Sequence, residues 1–189
     1  SQTARADVQH ARSIQPDEII VCTGAWTQEW ERQFGVRLPV QPIRGQICAF
    51  RPALGLQHIV YGDQGYLVEK GNGSVVCGAS EDVAGFDTST TDRGIYRLLK
   101  WSSKLSPKLQ GKDPFHRWAG LRPSTPDGRP YIGRLSQAPS VIVAAGHYRN
   151  GILLSPITAK RVADLVDGKE VQDASSFSPE RFGKLALID

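Results

Sequence analysis

An arginine set against a proline at the end of an apolar segment is the first chemical feature of this chain. Arg122 follows Trp118, Ala119 and Leu121 and precedes Pro123. A guanidinium in such surroundings is costly to bury without an anion, and its planar fork matches a carboxylate through two parallel hydrogen bonds. Residue types alone leave two readings open: a clamp for a carboxylate ligand, or a structural ion pair with Asp127 or Glu81. The second feature lies in residues 140–168. An unbroken apolar run at 141–145, of the kind a strand buried on both faces needs, leads into a turn punctuated by Gly146 and Gly151. Ile157, Val162, Leu165 and Val166 can then share one helix face, with Gly168 as a C-terminal cap, so a helix is expected over 157–166. Such a turn offers backbone N–H groups and a helix N-terminus to an electron-rich atom. It is also the pattern of an ordinary α/β connection. His147 and Arg149 sit inside it.

Further elements must position these residues. Residues 18–23 form a short apolar strand ending at Gly24, followed by a helical stretch over 25–34 with Trp26 and Trp30 four apart. Two prolines make 36–42 an extended crossover, and 44–50 reads as a strand entering a new sheet. Arg44 is expected to anchor that crossover through a carboxylate. Residues 58–62, 65–70 and 74–79 are strand candidates, the last two joined by Gly71, Asn72 and Gly73, which accept positive φ and signal a hairpin. Tyr66 opens the first strand of that hairpin, where a tyrosine commonly packs half-buried with its hydroxyl toward water. An irregular acidic loop fills 81–91. Thr91 offers a helix N-cap, with Ile95, Leu98, Leu99 and Leu105 at helical spacing before Ser106 and Pro107 stop the helix. Residues 115–121 form the next strand, 126–128 a turn and 130–133 a short extended piece. The polar tail at 169–189 is expected to pack loosely.

Composition narrows the function classes. The chain has 189 residues, 40% hydrophobic and 22% charged, enough for one good core or for a domain plus part of another. No apolar run approaches the roughly 20 residues that span a bilayer. A net charge of +4, spread along the chain without a basic block, argues against nucleic-acid binding. Cys22, Cys48 and Cys77 lie far apart in apolar segments without a CxxC, which suggests buried reduced thiols, a cytoplasmic setting and no metal site. No Ser/His/Asp or paired-carboxylate constellation stands out.

Five segments in register, residues 21–27 (VCTGAWT), 42–47 (PIRGQI), 65–81 (GYLVEK to VVCGASE), 120–133 (GLRPSTPDGRPYIG) and 144–159 (AAGHYRNGILLSPITA), resemble the C-terminal half of glycine oxidase. That enzyme is the thiamine-pathway member of the D-amino-acid-oxidase-like flavoproteins. The resemblance implies an FAD enzyme that oxidises the carbon–nitrogen bond of glycine or a small D-amino acid, with a flavin dehydrogenase, a sarcosine-type oxidase or a non-catalytic small-carboxylate binder as alternatives. It implies that Arg122 and Tyr66 hold the substrate carboxylate and that Arg149 adds positive charge there. It also implies that Gly24, His147, Tyr148, Arg149, Asn150, Gly151, Ile152 and Leu153 contact the cofactor. The expected fold class is α+β: a mixed, mostly antiparallel substrate-domain sheet over 41–138 with a helix on one face, flanked by parts of an FAD-binding domain at 1–40 and 139–170 and a tail at 171–189. The family's GxGxxG unit, which holds the ADP part of FAD, has no counterpart in residues 1–189. An N-terminal FAD-binding half is therefore the expected partner, and the strand at 141–145 is expected to lose sheet partners and favour homo-oligomers.

Overall fold

The computed structural model describes residues 15–51 and 53–185. Two sheets organise them. The small one has the order β1–β9–β8, with β1 (Ile19–Val21) parallel to β9 (Val141–Ala145) and β8 (Tyr131–Arg134) antiparallel to it. The large one is antiparallel throughout. Its long central strand β2 (Gln41–Phe50) pairs along one edge with β7 (His116–Ser124) and along the other with β5 (Val75–Gly78) and β6 (Asp82–Val83). The sheet continues from β5 to β4 (Tyr66–Glu69) and β3 (Val60–Tyr61). The α+β class expected from the sequence is the one observed. Because β8 belongs to the small sheet, that sheet takes in residues on both sides of position 138.

Alternation along β2 sorts the large sheet into two faces. Cys48 and Phe50 join Leu67, Val75 and Cys77 under helix α2 (Asp92–Leu105), which contributes Ile95, Leu98 and Trp101. Thr91 caps α2 by accepting from the Gly94 amide at 3.1 Å. Gln46, also on this face, is 1% exposed, and its side chain bonds Asp82 and Thr91. An alanine methyl at Gly94 would lie 2.3 Å from its amide nitrogen, so the glycine is what lets the helix sit that close. Arg44 meets Asp87 at 2.7 Å and Asp82 at 3.8 Å, the carboxylate anchor expected of it.

Several expectations are corrected. The strand at 141–145 does not lose its partners: β9 lies between β1 and β8 with all five residues buried, and the open edge is β1, where Ile19 and Ile20 are 43% and 46% exposed. The following helix, α3 (Gly151–Val166), starts six residues earlier than Ile157 and runs through Pro156. Proline removes one amide from the ladder, and the Ser155 hydroxyl donates to the Ile152 carbonyl that this amide would have served, at 2.8 Å. Residues 82–83 of the acidic loop form β6. The strand read at 115–121 continues to Ser124, so Arg122 lies within β7, and Pro42 and Pro123 face each other across the β2–β7 pair. Cys22 is exposed, while Cys48 and Cys77 are buried as expected. The stretch at 24–30 is a 3-10 helix, followed by the single-turn helix α1 (Glu31–Phe34). The described part of the tail, which includes the short helix α4 (Ala174–Phe177), does not hang loose. Pro179 is buried, Phe182 packs edge-on to Tyr131, and Arg181 reaches Asp127 at 2.8 Å while stacking 4.3 Å over the Tyr131 ring.

Candidate functional site

The face of the large sheet opposite α2 gathers Arg122 and Tyr66, two of the residues singled out by the sequence. Cross-strand register puts Arg122 and Gly120 of β7, Gly45 and Ile47 of β2, Gly78 of β5, Tyr66 of β4 and Tyr61 of β3 on this one face. Gly45 stands directly opposite Gly120, next to Arg122. The Arg122 guanidinium lies down over Gly45, where an alanine methyl would come 2.4 Å from both terminal nitrogens. A methyl at Gly78 would meet the Tyr66 hydroxyl at 2.8 Å, so that ring rests on a second bare backbone. Nothing comes within 4 Å of a methyl built on Gly120. Bare backbone at Gly45 and at Gly78 thus lets a guanidinium and a phenol lie flat, with open space over Gly120.

Arg122 donates to the Ser80 carbonyl at 3.0 Å and has no carboxylate partner among the described residues. Both ion pairs that would have made it structural are taken elsewhere, since Asp127 holds Arg181 and Glu81 holds Arg149. Burial pushes the Tyr66 phenol above its ordinary value against the opposing pull of Arg122, so it stays protonated as a hydrogen-bond donor. Tyr61 stacks on Tyr66 with ring centroids 6.2 Å apart. Arg149 donates to Glu81 at 3.0 Å and, through its other terminal nitrogen, to the Tyr61 hydroxyl.

The small sheet brings a second group of residues to the same place. Parallel β1 and β9 end at one edge, so the turn at Gly24 (φ 55°) and the turn at 146–150 share it, the edge where open α/β sheets bind ligands. The Tyr148 amide donates to the Pro123 carbonyl at 2.9 Å, tying that turn to the residue beside Arg122. Burial, then the charge of Glu81, raises the Tyr148 phenol. The amides of Gly151, Ile152 and Leu153 open the 16-residue α3 and have no hydrogen-bond acceptor among the described residues; Asn150, at the N-cap, makes no side-chain cap bond. Ile152 and Leu153 are 94% and 77% exposed. His147 is turned the other way: its Nε2 bonds Thr158 on α3 at 2.9 Å, and burial lowers its pKa, which keeps the ring neutral.

Residues 2–165 match the family described as FAD dependent oxidoreductase. The chain belongs to that family. Among its FAD-dependent relatives, glycine oxidase of Pseudomonas aeruginosa is 33% identical over 168 residues, covering 88% of this chain and 46% of that protein. Glycine oxidase of Geobacillus kaustophilus is 37% identical over 175 residues, covering 90% and 46%. The crystal structure of the Geobacillus enzyme superposes with a TM-score of 0.78 at 34% identity, over 91% of this chain and 46% of that one. The chain therefore spans about half the length of these FAD-dependent oxidoreductases. No helix among the described residues is long and apolar enough to cross a membrane.

The sequence-derived set of Arg122, Tyr66, Arg149, Tyr148 and the 150–153 segment converges here, with Gly24 at the same sheet edge. Tyr61 and Glu81 join this face beyond the residues that the sequence singles out for it. The signal for Tyr61 was available in YGDQGY at 61–66, where two tyrosines flank a loop bounded by Gly62 and Gly65 and so face each other across a hairpin. Glu81 carries no local signal, because its partner Arg149 is 68 residues away.

Proposed function

We propose that this chain is the substrate-binding part of an FAD-dependent amino acid oxidase that oxidatively deaminates glycine or a small D-amino acid. The observation that carries the reading is the Arg122 guanidinium, laid on the open sheet face beside Tyr66 with no carboxylate partner among the described residues. A half-buried cation in that state is complementary to an incoming carboxylate, which it grips through two parallel N–H donors. The protonated Tyr66 hydroxyl adds a third donor from the neighbouring strands, fixing the carboxylate and with it the direction of the substrate's α-carbon. Arg149, already paired with Glu81, gives positive potential at the rim.

The residues fit FAD at the shared edge. Unserved amides at the head of a long helix suit the electron-rich carbonyl edge of a flat ring, and exposed Ile152 and Leu153 suit its apolar surface. We assign Tyr148, Arg149 and residues 150–153 to that contact, with the backbone of His147 and the turn at Gly24 beside them. When bound, FAD supplies the two-electron acceptor for oxidation of the carbon–nitrogen bond. The chain's own work is to hold the carboxylate, orient the α-carbon and place partial positive charge where negative charge develops. No side-chain acid or base is assigned. On this reading 1–40 and 139–170 belong to the cofactor domain, 41–138 to the substrate domain and 171–189 to a tail. The ADP part of FAD is held by an N-terminal half outside residues 1–189, and the protein works in the cytoplasm with dioxygen as final acceptor.

Arg122→Met in the flavin-loaded full-length protein tests the reading. It is expected to raise the KM for glycine about 100-fold and to abolish calorimetric binding of glycolate, with the melting temperature unchanged. Glycolate affinity equal to wild type would overturn it. Glycolate binding without turnover of any small amine would instead identify a carboxylate-binding module.

A further inference from the structure

The open face carries two guanidinium groups, and the loop after β5 treats them differently. Ser80 gives Arg122 only a carbonyl oxygen, at 3.0 Å. Glu81, the next residue, gives Arg149 a full carboxylate, also at 3.0 Å. The Tyr61 hydroxyl accepts from Arg149 as well, and the Tyr61 ring stacks on Tyr66, so Arg149 is held against the same wall that bears the proposed clamp. The Glu81–Arg149 pair contributes little to folding: its side chains are 47% and 45% exposed, and exposed ion pairs are weak. Its larger effect is on the charge of the site. With Glu81 ionised, Arg149 is matched and Arg122 is the guanidinium of the pair left without a carboxylate among the described residues; the cavity that Glu81 and Arg149 line adds one charge of each sign, Asp63 and Arg97.

We propose that Glu81 is a specificity-determining residue that sets the charge class of the ligand, making the site accept monocarboxylates and reject dicarboxylates. A second carboxylate on the ligand would have to displace Glu81 from Arg149 and then lie beside the displaced anion, a repulsion that selects against it. Without the Glu81 charge, Arg149 becomes a second carboxylate receptor, still oriented by Tyr61. The inference rests on the reading of Arg122 as the carboxylate clamp.

The test is isothermal titration calorimetry at low ionic strength on the flavin-loaded full-length protein, with acetate and succinate as probes, in wild type, Glu81→Gln, Glu81→Gln/Arg149→Met and Arg122→Met. Glu81→Gln keeps the side chain's shape and its hydrogen-bonding oxygen. It is expected to raise succinate affinity relative to acetate about tenfold, the scale of one added charge-assisted hydrogen bond, and the added Arg149→Met is expected to erase that gain. An unchanged ratio in Glu81→Gln overturns the proposal, and so does a gain that survives Arg149→Met. A failure of the underlying clamp has a separate mark: wild type and Arg122→Met would bind acetate equally, which sinks both readings together.

Discussion

Gly45→Ala isolates the placement of the Arg122 guanidinium from the chemistry of the arginine itself. The new methyl would stand 2.4 Å from Nη1 and Nη2 and 2.5 Å from Cζ. Ordinary contact begins near 3.4 Å, so the guanidinium has to lift by about 1 Å. The obstacle is the far end of a flexible side chain and Gly45 sits in regular β-strand, so the fold gives way cheaply: stability should change by less than about 1 kcal/mol. Binding should not. A guanidinium raised off the sheet loses its alignment with a carboxylate held by Tyr66, and a charge-assisted hydrogen bond contributes about 1.5–3 kcal/mol. Affinity for glycolate should therefore fall between about 10-fold and 150-fold while the melting temperature stays within a few degrees. Calorimetric titration with glycolate and a thermal melt on the same sample read the two quantities separately. Unchanged glycolate affinity would refute the argument that Gly45 is kept bare for Arg122. A large fall in melting temperature would refute the claim that the arginine is free to move.

Other perturbations test neighbouring parts of the same structure. Tyr66→Phe should weaken glycolate binding about 5-fold to 10-fold, the worth of one neutral donor, with no loss of stability; an unaltered affinity would remove the phenol from the site. Leu98→Ala, at a 3% exposed position under β5, should cost about 2–5 kcal/mol and lower the urea midpoint without changing glycolate affinity per folded molecule. The Asp127–Arg181 pair gives a pH signature. The hydrogen bond from Arg181 pulls the Asp127 carboxyl from 3.8 down to about 2, so its contribution is fully present above about pH 4 and is lost as pH falls toward 2. The Asp127 side chain is 33% exposed, so after allowance for solvent screening the contribution is about 1 kcal/mol. Asp127→Asn should be less stable than wild type by that amount at pH 6, and the gap should close at pH 2; a gap independent of pH would show that the pair does not anchor the tail.

The parts of this fold legible in the sequence are those whose cause is local. Thr91 caps α2 because the threonine and the amide it serves lie three residues apart, and the turn at 71–73 closes a hairpin because Gly73 takes up a φ of 77°, a property of a single residue. The apolar run of β9 foretold burial on both faces, but not that Val36, Leu38, Val40, Trp30, Phe34 and Phe182 would pack with Val141, Val143 and Ala145 while α3 lies over the other face. The features that differ from the sequence expectation depend on distant partners. Pro123 suggested the end of a strand, yet it sits in β7 opposite Pro42, where neither residue has an amide to donate. The tail at 179–182 looked loose because its binding partners, Tyr131 and Asp127, are about 50 residues upstream. The candidate site mixes both kinds: Arg122, Tyr66 and Arg149 can be singled out by residue type, whereas the placement of Gly45 under Arg122 and of Gly78 under Tyr66 exists only through register.

Register also joins the helix-covered face of the large sheet to the open one. Side chains along β2 alternate, so a slip of one residue would carry Gly45 away from Arg122 and put Arg44 or Gln46 on the open face. The polar residues of the helix face oppose that slip. Gln46 accepts from the Thr91 amide at 2.7 Å and donates to Asp82 at 2.8 Å, and Arg44 reaches Asp87 at 2.7 Å, all in places where apolar packing alone would tolerate either register. Replacing Gln46 by Leu leaves the Thr91 amide without its side-chain acceptor and takes one donor from the Asp82 carboxylate, which keeps the Ser80 hydroxyl at 2.6 Å, at a cost of about 1–2 kcal/mol. It also removes the contact that fixes which residue of β2 lies beneath Arg122. Gln46→Leu is therefore expected to lower glycolate affinity although Gln46 touches nothing on the open face, with Gly45→Ala/Gln46→Leu losing less than the sum of the single changes. Strict additivity would mean that the two faces are energetically independent and that β2 register is held elsewhere.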